Sequence, residues 1–563
     1  MALLHLNAAS YKTNSEKTNI TRRTANYQPP IWQFDYVQSL TSKYAGEIYA
    51  KRVHELKEEV KMLLAKVRDP LSKLEHIDIL QRLGLSYHFE AQIKTILEGI
   101  YNKSCCDDKW KRNNLYATAL EFRLLRQHGF WLPQEVFKGF KASMSDDING
   151  MLSLYEASFH LVKGESFLEE ARDFSTKHLQ QYISNKEESE DEIVVLINHA
   201  LEIPLHWRML RLEARWFIDV YEKRKEMNPT LLELGKLDFN VVQSTHQEDL
   251  KHASRWWRNT GVGQELEFAR DRLMENFLWT VGMVFEPQFG FCRRMLTQVA
   301  SLITAIDDIY DVFGTLEELE LFTDAVERWD IDAVDQLPDY MEICFLALHN
   351  SINDMAFEVL KKQRFHIIKY LKKAWADLCK AYLLEAKWYY SGYTPSLEEY
   401  IENAWISMSV PVALVHAFFF VTKQITKEAL ECLEKYPSII RSSSMIFRFA
   451  NDLGTSSDEI ERGDVPKSIQ CYMHQTGASE EEGRQHIKFL IGETWKQMNK
   501  DRVTNSPFCI VFIEIATNLG RMAQCMYQRG DGYGVPNRET KDRVMSLLIN
   551  PISVRVLEYA DVH

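Results

Sequence analysis

The sequence predicts an all-α protein, and three observations support this fold class. Apolar residues recur at three- and four-residue spacing through most of the 563 residues, as they do along one face of an amphipathic helix. Stretches of strict apolar–polar alternation, which would predict strands, are scarce. Only 23 Gly and 15 Pro interrupt the chain, which favours long helices over a turn-rich sheet.

The length predicts two helical domains. A chain of 563 residues exceeds the size at which a single hydrophobic core stops growing, about 250–300 residues. A basic helix, 221–225, ends just before Glu226-Met-Asn-Pro229, which marks a plausible boundary, and the candidate metal sites all fall after it. The predicted domains therefore cover 22–228 and 229–563, and residues 1–21 precede them.

Individual helices follow from the same periodicity. Residues 118–127, 316–329 and 370–388 each repeat apolar positions at helical spacing, whereas 185–192 is a charged run typical of a solvated loop. The longest apolar run, 410–421, is shorter than the about 20 residues that a membrane span needs. We therefore expect a buried helix there and no membrane insertion.

Charge and the N-terminal composition bear on partners and compartment. The net charge of −13 argues against a nucleic-acid surface, because a polyanion would be repelled. Residues 1–21 are rich in Ser, Thr, Asn and Lys, which is compatible with a short plastid transit peptide or with a disordered tail. We expect a plastid protein, or a cytoplasmic one if the segment is not a transit peptide, and a monomer or weak homodimer.

The group Asp307-Asp308-Ile309-Tyr310-Asp311 is the first candidate site. On a helix, residues four apart lie on the same face, so Asp307 and Asp311 project together while Asp308 lies about a hundred degrees round the axis. Neighbouring carboxylates are costly without a cation, and oxygens that leave room for water and phosphate are ligands that Mg²⁺ accepts. Asp307 and Asp311 are therefore favoured as ligands over Asp308.

A second polar helix face follows downstream. Asn451, Thr455 and Glu459 are spaced four residues apart, and an amide oxygen, a hydroxyl and a carboxylate form an oxygen set suited to a further Mg²⁺. An ordinary polar helix surface is the alternative interpretation. Arg448 lies one turn before Asn451, so its guanidinium can reach an anion shared with that metal, and the following turn can bring Lys467 to the same place.

Two more arginines, Arg270 and Arg272, precede the first acidic group. Guanidinium groups bind phosphate oxygens and stay charged when desolvated, although a pair of exposed basic residues is the alternative. Together these residues point to one site that ionises a diphosphate ester, because metals and cations stabilise the charge on the leaving group. A carbocation formed there needs a dry, aromatic pocket. Trp279 and Tyr533 are candidates for it, with core packing as the alternative for each.

The sequence resembles plant class I terpene synthases of the angiosperm branch dominated by monoterpene synthases. The resemblance runs from Arg22 onward and is carried by five motifs in the family's order. They are Arg22-Arg23 with Trp32 after eight intervening residues, Leu124-Leu-Arg-Gln-His-Gly129, Phe268-Ala-Arg-Asp-Arg-Leu273, Asp307-Asp-Ile-Tyr-Asp311 and Asn451-Asp-Leu-Gly-Thr-Ser-Ser-Asp-Glu459. The Asp-x-Asp-Asp motif of the protonation-initiated class does not occur in the sequence.

The resemblance implies an N-terminal α-barrel-like relic domain and a C-terminal α-bundle that carries the site. It implies a lyase that ionises a prenyl diphosphate, with geranyl diphosphate favoured, to diphosphate and an acyclic or cyclic monoterpene. Three Mg²⁺ ions are expected, or Mn²⁺ in their place. The implied metal ligands are Asp307, Asp308, Asp311, Asn451, Thr455 and Glu459. The implied diphosphate ligands are Arg270, Arg272, Arg448 and Lys467. Asp307, Asp311, Arg270 and Arg448 would be catalytic.

The resemblance also implies a lid. In similar enzymes the N-terminal segment folds over the mouth of the site and excludes water at ionisation. Arg22, Arg23 and Trp32 would belong to it here, and the two arginines would help to isomerise geranyl diphosphate to its tertiary allylic form. Isoprene synthases of the same branch have pockets filled by extra Phe and lack the basic residue. Ala300 and Lys467 therefore favour a substrate larger than five carbons.

Three alternatives stay open from the sequence. A sesquiterpene synthase would take farnesyl diphosphate, which the short N-terminus allows. A chain-elongating prenyltransferase would carry two aspartate-rich motifs in a shorter chain and would consume isopentenyl diphosphate. A helical interaction protein or an inactive relative would leave the acidic faces solvated, and the intact set of expected metal ligands counts against it.

Overall fold

The computed structural model describes residues 22, 25, 27–103, 110–138, 147–186, 191–462, 465–534 and 537–554, with only the backbone of 457–462. Within these ranges the chain forms helices joined by loops and contains no strand. The prediction of an all-α protein is confirmed.

The part of the chain before residue 229 contributes nine described α-helices, most of them amphipathic and buried on one face. They are α1 (Phe34–Ser39), α2 (Glu47–Lys66), α3 (Pro70–Arg82), α4 (Glu90–Lys103), α5 (Leu115–Gln127), α6 (Ile148–Ser158), α7 (Ser166–Ser184), α8 (Glu192–Glu202) and α9 (Leu210–Glu222).

The remainder holds fifteen further described α-helices and carries the large cavity described below. They are α10 (Pro229–Thr260), α11 (Val262–Glu265), α12 (Leu273–Met283), α13 (Gly290–Asp308), α14 (Leu316–Arg328), α15 (Asp339–Gln363), α16 (Ile368–Ser391), α17 (Leu397–Ser407), α18 (Val410–Val421), α19 (Lys427–Glu434), α20 (Ser438–Arg462), α21 (Ser468–Thr476), α22 (Glu480–Val503), α23 (Ile510–Met526) and α24 (Arg538–Val544). Short 3-10 turns connect several of them, and two π-helical turns occur at Ile309–Phe313 and Met545–Ile549.

The helices predicted from periodicity are present with small shifts at their ends. The stretches 118–127, 316–329 and 370–388 correspond to α5, α14 and α16. Helix α14 begins with a capping box, in which the Thr315 side chain accepts from the Glu318 backbone N–H and the Glu318 carboxylate accepts from the Thr315 backbone N–H. The charged run 185–192 lies between α7 and α8 for the most part, and its residues 187–190 are outside the described residues.

The long helix α10 joins the two halves of the chain. Asn228 caps its first turn by accepting the N–H groups of Thr230 and Leu231, and Pro229 occupies the first helical position. Helix α10 packs against α2 and α9 of the first half and against α12 and α13 of the second. Buried hydrogen bonds also cross between the halves, since the Asn499 amide donates to the carbonyl of Phe159.

The apolar run 410–421 is helix α18, and ten of its twelve residues are buried. Within the described residues, the stretch Leu397–Val421 has the length and mean hydropathy of a membrane span, and 72% of its most apolar window is buried inside the protein. A break at Ser409, which has a positive φ of 65°, divides this stretch into α17 and α18. Each of these helices is shorter than the about 20 residues that a span requires.

Candidate active site

A cavity of about 780 Å³ lies among the helices of the second half. Its volume falls within the ~300–1,000 Å³ typical of pockets for small molecules. Apolar side chains form much of its wall, and they include Met283, Leu296, Ile303, Val312, Val410, Phe447 and Leu519. Charged and amide side chains from two helices, α13 with its π-helical extension and α20, line the same cavity.

The first polar wall is formed where α13 changes into a π-helical turn. Helix α13 ends at Asp308, and the π turn Ile309–Phe313 carries Asp311. Asp307 and Asp311 both line the cavity, whereas Asp308 is fully buried and does not. Such π turns occur frequently at functional sites. The two aspartates favoured by the sequence therefore face the cavity together.

Asp308 instead binds Arg270. Its Oδ2 accepts the backbone N–H of Arg270 at 2.6 Å and its Oδ1 accepts Nε at 2.9 Å. The Nη2 of Arg270 reaches Asp307 Oδ2 at 2.6 Å. Burial raises the pKa of Asp308, and Arg270 opposes that rise. The arginine lines the cavity, so Asp308 fixes the orientation of a cation at the first wall.

The second polar wall comes from α20, and Arg448, Asn451 and Thr455 line the cavity there. Arg448 donates to the Asn451 side-chain oxygen, and its Nε lies 2.9 Å from Asp452 Oδ1. The backbone of Glu459 continues the helix, but its side chain is outside the described residues. Of the predicted set on α20, the structure thus brings Arg448, Asn451 and Thr455 to the cavity.

Asp452 anchors the second wall as Asp308 anchors the first. It is fully buried, and its Oδ2 accepts the Tyr400 hydroxyl at 3.0 Å and the Ser468 N–H at 3.2 Å. Ser468 begins α21, directly after Lys467, which also lines the cavity. In both walls the acid that directly follows a predicted metal ligand, Asp307 or Asn451, is buried beside an arginine. The sequence argument did not identify Asp452 as functional.

Aromatic rings line the cavity between the two polar walls. Trp279 stacks on Phe447 with 4.5 Å between the ring centroids and 9° between the planes, and Tyr533 meets Trp279 edge to face at 6.5 Å. The Tyr533 hydroxyl donates to Asn276 Oδ1 at 2.9 Å and contacts the Thr304 hydroxyl at 2.5 Å. Burial raises the pKa of Tyr533 to about 12, which keeps it neutral near pH 7. Both aromatic residues predicted from the sequence line the cavity.

Two family models match most of the chain. Residues 31–201 match the terpene synthase N-terminal domain, and residues 258–497 match the metal binding domain of the terpene synthase family. The chain belongs to the terpene synthase family. The predicted family and its two-domain, all-α architecture are thereby confirmed.

Curated relatives of this terpene synthase are similar over nearly their whole length. A chloroplastic myrcene synthase from Quercus ilex is 64% identical over 545 residues, which cover 96% of this chain and 91% of the relative. A (−)-α-terpineol synthase from Vitis vinifera is 62% identical over 540 residues, covering 95% and 91%. A chloroplastic limonene synthase from Coffea arabica is 56% identical over 545 residues, covering 95% and 89%.

Solved structures of the same family superpose closely on this terpene synthase. A limonene synthase with 2-fluorolinalyl diphosphate matches with a TM-score of 0.92 and 48% identity, covering 95% of this chain and all of that one. An isoprene synthase from grey poplar, in complex with three Mg²⁺ ions and dimethylallyl-S-thiolodiphosphate, matches with a TM-score of 0.85 and 46% identity, covering 93% and 99%.

The N-terminal strap of this terpene synthase, described at residues 22, 25 and 27–33, crosses beside the cavity. Ala25, Tyr27 and Gln28 line the cavity. Arg22 does not line it; its guanidinium binds both carboxylate oxygens of Glu318, at 2.7 and 2.8 Å. The structure therefore places Arg22 as an anchor of the strap, and Arg23 lies outside the described residues.

Arg22 is held by more than this ion pair. Its guanidinium donates to the Phe313 carbonyl at 3.0 Å and lies 4.5 Å from the centroid of the Phe313 ring. The ring of Phe268 stacks on the other side of this cluster, 3.8 Å from Phe313. Phe313 ends the π turn that carries Asp311. The anchor of the strap is thus attached to the first polar wall.

Trp32 and Arg272 do not line the large cavity, although the family resemblance implies that Trp32 belongs to the lid and that Arg272 holds the diphosphate. Trp32 lines a separate cavity of about 340 Å³ together with Trp257 and Glu275. Arg272 is 2% exposed, does not line the large cavity and donates to the carbonyls of Gln28 and Gly534. In this structure it does not face the space where Arg270, Arg448 and Lys467 meet.

Two features of the cavity were missed by sequence reasoning. Glu385 lines it and accepts from the Ser407 hydroxyl at 2.5 Å and the Asn403 amide at 3.3 Å. Helix α17 ends at Ser407, and Ser407 and Met408 line the cavity. The partial negative charge of a helix C-terminus favours a nearby cation. No sequence motif predicts this helix end. Glu385, by contrast, is the one acid in the apolar stretch 381–386 of α16, and that position was a usable signal.

Proposed function

We propose that this terpene synthase ionises geranyl diphosphate to diphosphate and a monoterpene. The single observation that carries the proposal is the arrangement of the large cavity. Oxygen ligands from α13, its π-helical extension and α20, together with the cations Arg270, Arg448 and Lys467, line the same space as an apolar and aromatic surface. A charged end suits a diphosphate, and a dry aromatic region suits an allylic carbocation.

The chemistry of the oxygen donors fits Mg²⁺. Asp307 and Asp311 supply carboxylates, and Asn451 and Thr455 supply an amide and a hydroxyl oxygen that face the cavity; Glu459 would complete the second set. Hard oxygen ligands of this kind suit Mg²⁺, which also keeps waters and takes substrate phosphates as ligands. Bound there, three Mg²⁺ ions would supply the charge that stabilises a diphosphate leaving group. Mn²⁺ would be accepted by the same oxygens.

We propose that Arg270, Arg448 and Lys467 hold the diphosphate. All three line the cavity, and each arginine is fixed by a buried acid, Asp308 or Asp452. Guanidinium groups held in place need no reorganisation as negative charge develops on the leaving group. Asp308 acts in this proposal through Arg270 and not as a direct metal ligand.

The organic half of the substrate would lie against Trp279, Phe447 and Tyr533. Their ring faces and the C-terminal end of α17 provide partial negative charge, and Glu385 lines the cavity beside that helix end. The strap would exclude water above them, because Ala25, Tyr27 and Gln28 close one side of the cavity.

Geranyl diphosphate is proposed because of the relatives. Several of those at 54–64% identity are named for monoterpenes, among them myrcene, α-terpineol, limonene and γ-terpinene. Incubation of the purified enzyme with Mg²⁺ and geranyl, farnesyl or dimethylallyl diphosphate, followed by gas chromatography of the volatiles, tests the proposal. We expect the highest kcat/KM with geranyl diphosphate. A preference for farnesyl diphosphate would show a sesquiterpene synthase, and consumption of isopentenyl diphosphate would show chain elongation.

We propose that the enzyme acts in the plastid, because several relatives are named as chloroplastic. Import of the labelled full chain into isolated chloroplasts, with protection from external protease, tests this.

We further propose a division of the chain into the domains 22–228 and 229–563, supported by the capped start of α10. Oligomeric state is proposed as monomer or weak homodimer, to be measured by light scattering.

A further inference from the structure

Arg272 joins two segments that are far apart in the sequence. It lies immediately before α12, and its Nη1 and Nη2 each donate to the Gln28 carbonyl at 3.1 Å. Nη2 also donates to the Gly534 carbonyl at 3.1 Å. One guanidinium therefore binds the N-terminal strap and the loop 531–534 at the same time.

Both segments belong to the wall of the active-site cavity. The strap contributes Ala25, Tyr27 and Gln28, and the loop contributes Asp531, Tyr533 and Gly534. Their rings flank a substrate-site cation, since the Arg270 guanidinium lies 4.9 Å from the Tyr27 centroid and 5.9 Å from the Tyr533 centroid. A displacement of either segment would open the cavity and move an aromatic ring.

Hydrogen bonds within the loop 531–534 fix the position of Tyr533 relative to Gly534. Asp531 Oδ1 accepts the N–H of Tyr533 at 2.9 Å and that of Gly534 at 2.7 Å. The Asn537 amide donates to the Asp531 carbonyl at 3.1 Å. Because the loop is closed on itself in this way, Arg272 holds Tyr533 by holding Gly534.

The burial of Arg272 makes the two attachments depend on each other. The side chain is 2% exposed, and within the described residues no carboxylate lies within 4.0 Å of its nitrogen atoms and its Nε has no hydrogen-bond partner. A buried cation without a paired acid is costly unless its donors are satisfied. The carbonyls of Gln28, Gly534 and the adjacent Asp271 accept hydrogen bonds from Nη1 and Nη2. Withdrawal of the strap or of the loop removes one of these acceptors, which raises the cost of keeping the cation buried beneath the other segment.

We propose that Arg272 is a positioning residue that couples closure of the strap to closure of the loop 531–534, and that it does not hold the diphosphate. The proposal deepens the function proposed above and rests on it where product composition is concerned. When the two segments separate, water reaches the allylic cation. Its oxygen bonds to the cationic carbon and one proton is lost to solvent, which gives a terpene alcohol in place of a hydrocarbon.

The decisive variant is Arg272→Lys. Lysine keeps the positive charge, but its single ammonium lacks the fork that reaches two carbonyls and that binds phosphate oxygens bidentately, so diphosphate binding would weaken if Arg272 were a diphosphate ligand. Arg270→Gln serves as the comparison for a diphosphate ligand, and Arg538→Lys on the surface serves as the neutral control, since its side chain is 95% exposed. Thermal melting of each variant checks that it folds.

Three measurements on the full chain test the coupling. Hydrogen exchange in Arg272→Lys should rise in the strap and in the loop together, by about tenfold or more in each. The inhibition constant of inorganic diphosphate with Mg²⁺ should stay within about twofold of the wild type, whereas Arg270→Gln should raise it by about tenfold or more. The share of alcohol among the products should increase in Arg272→Lys, with kcat reduced more than KM is changed.

A second variant keeps the proposal falsifiable if Arg272→Lys fails to fold. Asp531→Ala loosens the loop directly, and coupling through Arg272 predicts faster exchange in the strap as well. Faster exchange in only one segment, or a tenfold weaker diphosphate inhibition in Arg272→Lys with unchanged exchange, would overturn the proposal. Because exchange and diphosphate inhibition need no prenyl substrate, they test Arg272 even if geranyl diphosphate is not the substrate.

Discussion

The substitution Asp308→Asn separates two roles of one aspartate, the metal ligand that the family resemblance implies and the partner of Arg270 that the structure shows. A direct metal ligand would contribute to Mg²⁺ affinity, whereas a partner of Arg270 would contribute to the position of that cation. The structure favours the second role, because Asp308 is fully buried and does not line the cavity. Asp307, one residue earlier, lines the cavity and is the natural comparison.

The expected magnitude follows from the contacts of Asp308. Its carboxylate accepts the Arg270 backbone N–H at 2.6 Å and Nε at 2.9 Å, and it lies 2.8 Å from Nη2. Asparagine keeps one acceptor oxygen and turns an amide donor toward the guanidinium. Loss of one hydrogen bond to a charged group costs ~1.5–3 kcal/mol, which corresponds to a decrease in kcat/KM of about 10- to 150-fold.

The assay is steady-state turnover of geranyl diphosphate as a function of Mg²⁺ concentration. We expect Asp308→Asn to lower kcat/KM at saturating Mg²⁺ while the Mg²⁺ concentration for half-maximal rate stays near that of the wild type. Asp307→Asn should raise that concentration, and Asp324→Asn on α14, where the Asp324 side chain is 57% exposed, should change neither. An equal rise in the Mg²⁺ requirement for Asp308→Asn and Asp307→Asn would refute the reasoning.

Three further substitutions have expected outcomes. Asp452→Asn should lower kcat/KM by about 10- to 100-fold through Arg448, by the same cost of a charged hydrogen bond, with the Mg²⁺ titration as the check. Glu318→Gln removes the charge that Arg22 binds. Loss of this partly exposed ion pair costs ~1 kcal/mol, which should increase the alcohol share of the products by about fivefold, as measured by gas chromatography. Burial raises the pKa of Glu286 to about 7. Its contribution to the free energy of unfolding is therefore fully present at low pH and is lost as pH rises from about 4.5 through 7. Glu286→Gln should therefore raise the melting temperature at pH 8 and leave it unchanged at pH 4.

The sequence could predict the elements of the site because helical spacing is a local property. Asp307 and Asp311, and likewise Asn451 and Thr455, are placed by the geometry of a single helix, and all four face the cavity. The π-helical turn at Ile309–Phe313 could not be predicted, because a π turn and an α turn differ by one residue in hydrogen bonding and share the same apolar pattern. The side chains happen to face the cavity in either case.

Long-range contacts account for most of what sequence reasoning missed. Arg270 and Arg272 are two residues apart and carry the same group, yet one lines the cavity and the other binds Gln28 and Gly534. The partners of Arg270, Asp307 and Asp308, are 37 and 38 residues away, and those of Arg272 are 244 and 262 residues away. No spacing rule contains that information. Asp452 was overlooked for the same reason, since its partner Tyr400 is on α17.

The identity of the product depends on features finer than those that define the site. Relatives of 64% and 62% identity to this chain are named for an acyclic hydrocarbon and a cyclic alcohol, respectively, so overall similarity does not distinguish ring closure or water capture. Both outcomes depend on how the cation is folded and on whether water reaches it. We propose that in this chain the first depends on the apolar wall around Trp279 and Phe447, and that the second depends on the closure of the strap and the loop 531–534. Substitutions at Arg272 or Glu318 should therefore change the ratio of alcohol to hydrocarbon, whereas substitutions at Trp279 should change the ratio of cyclic to acyclic products.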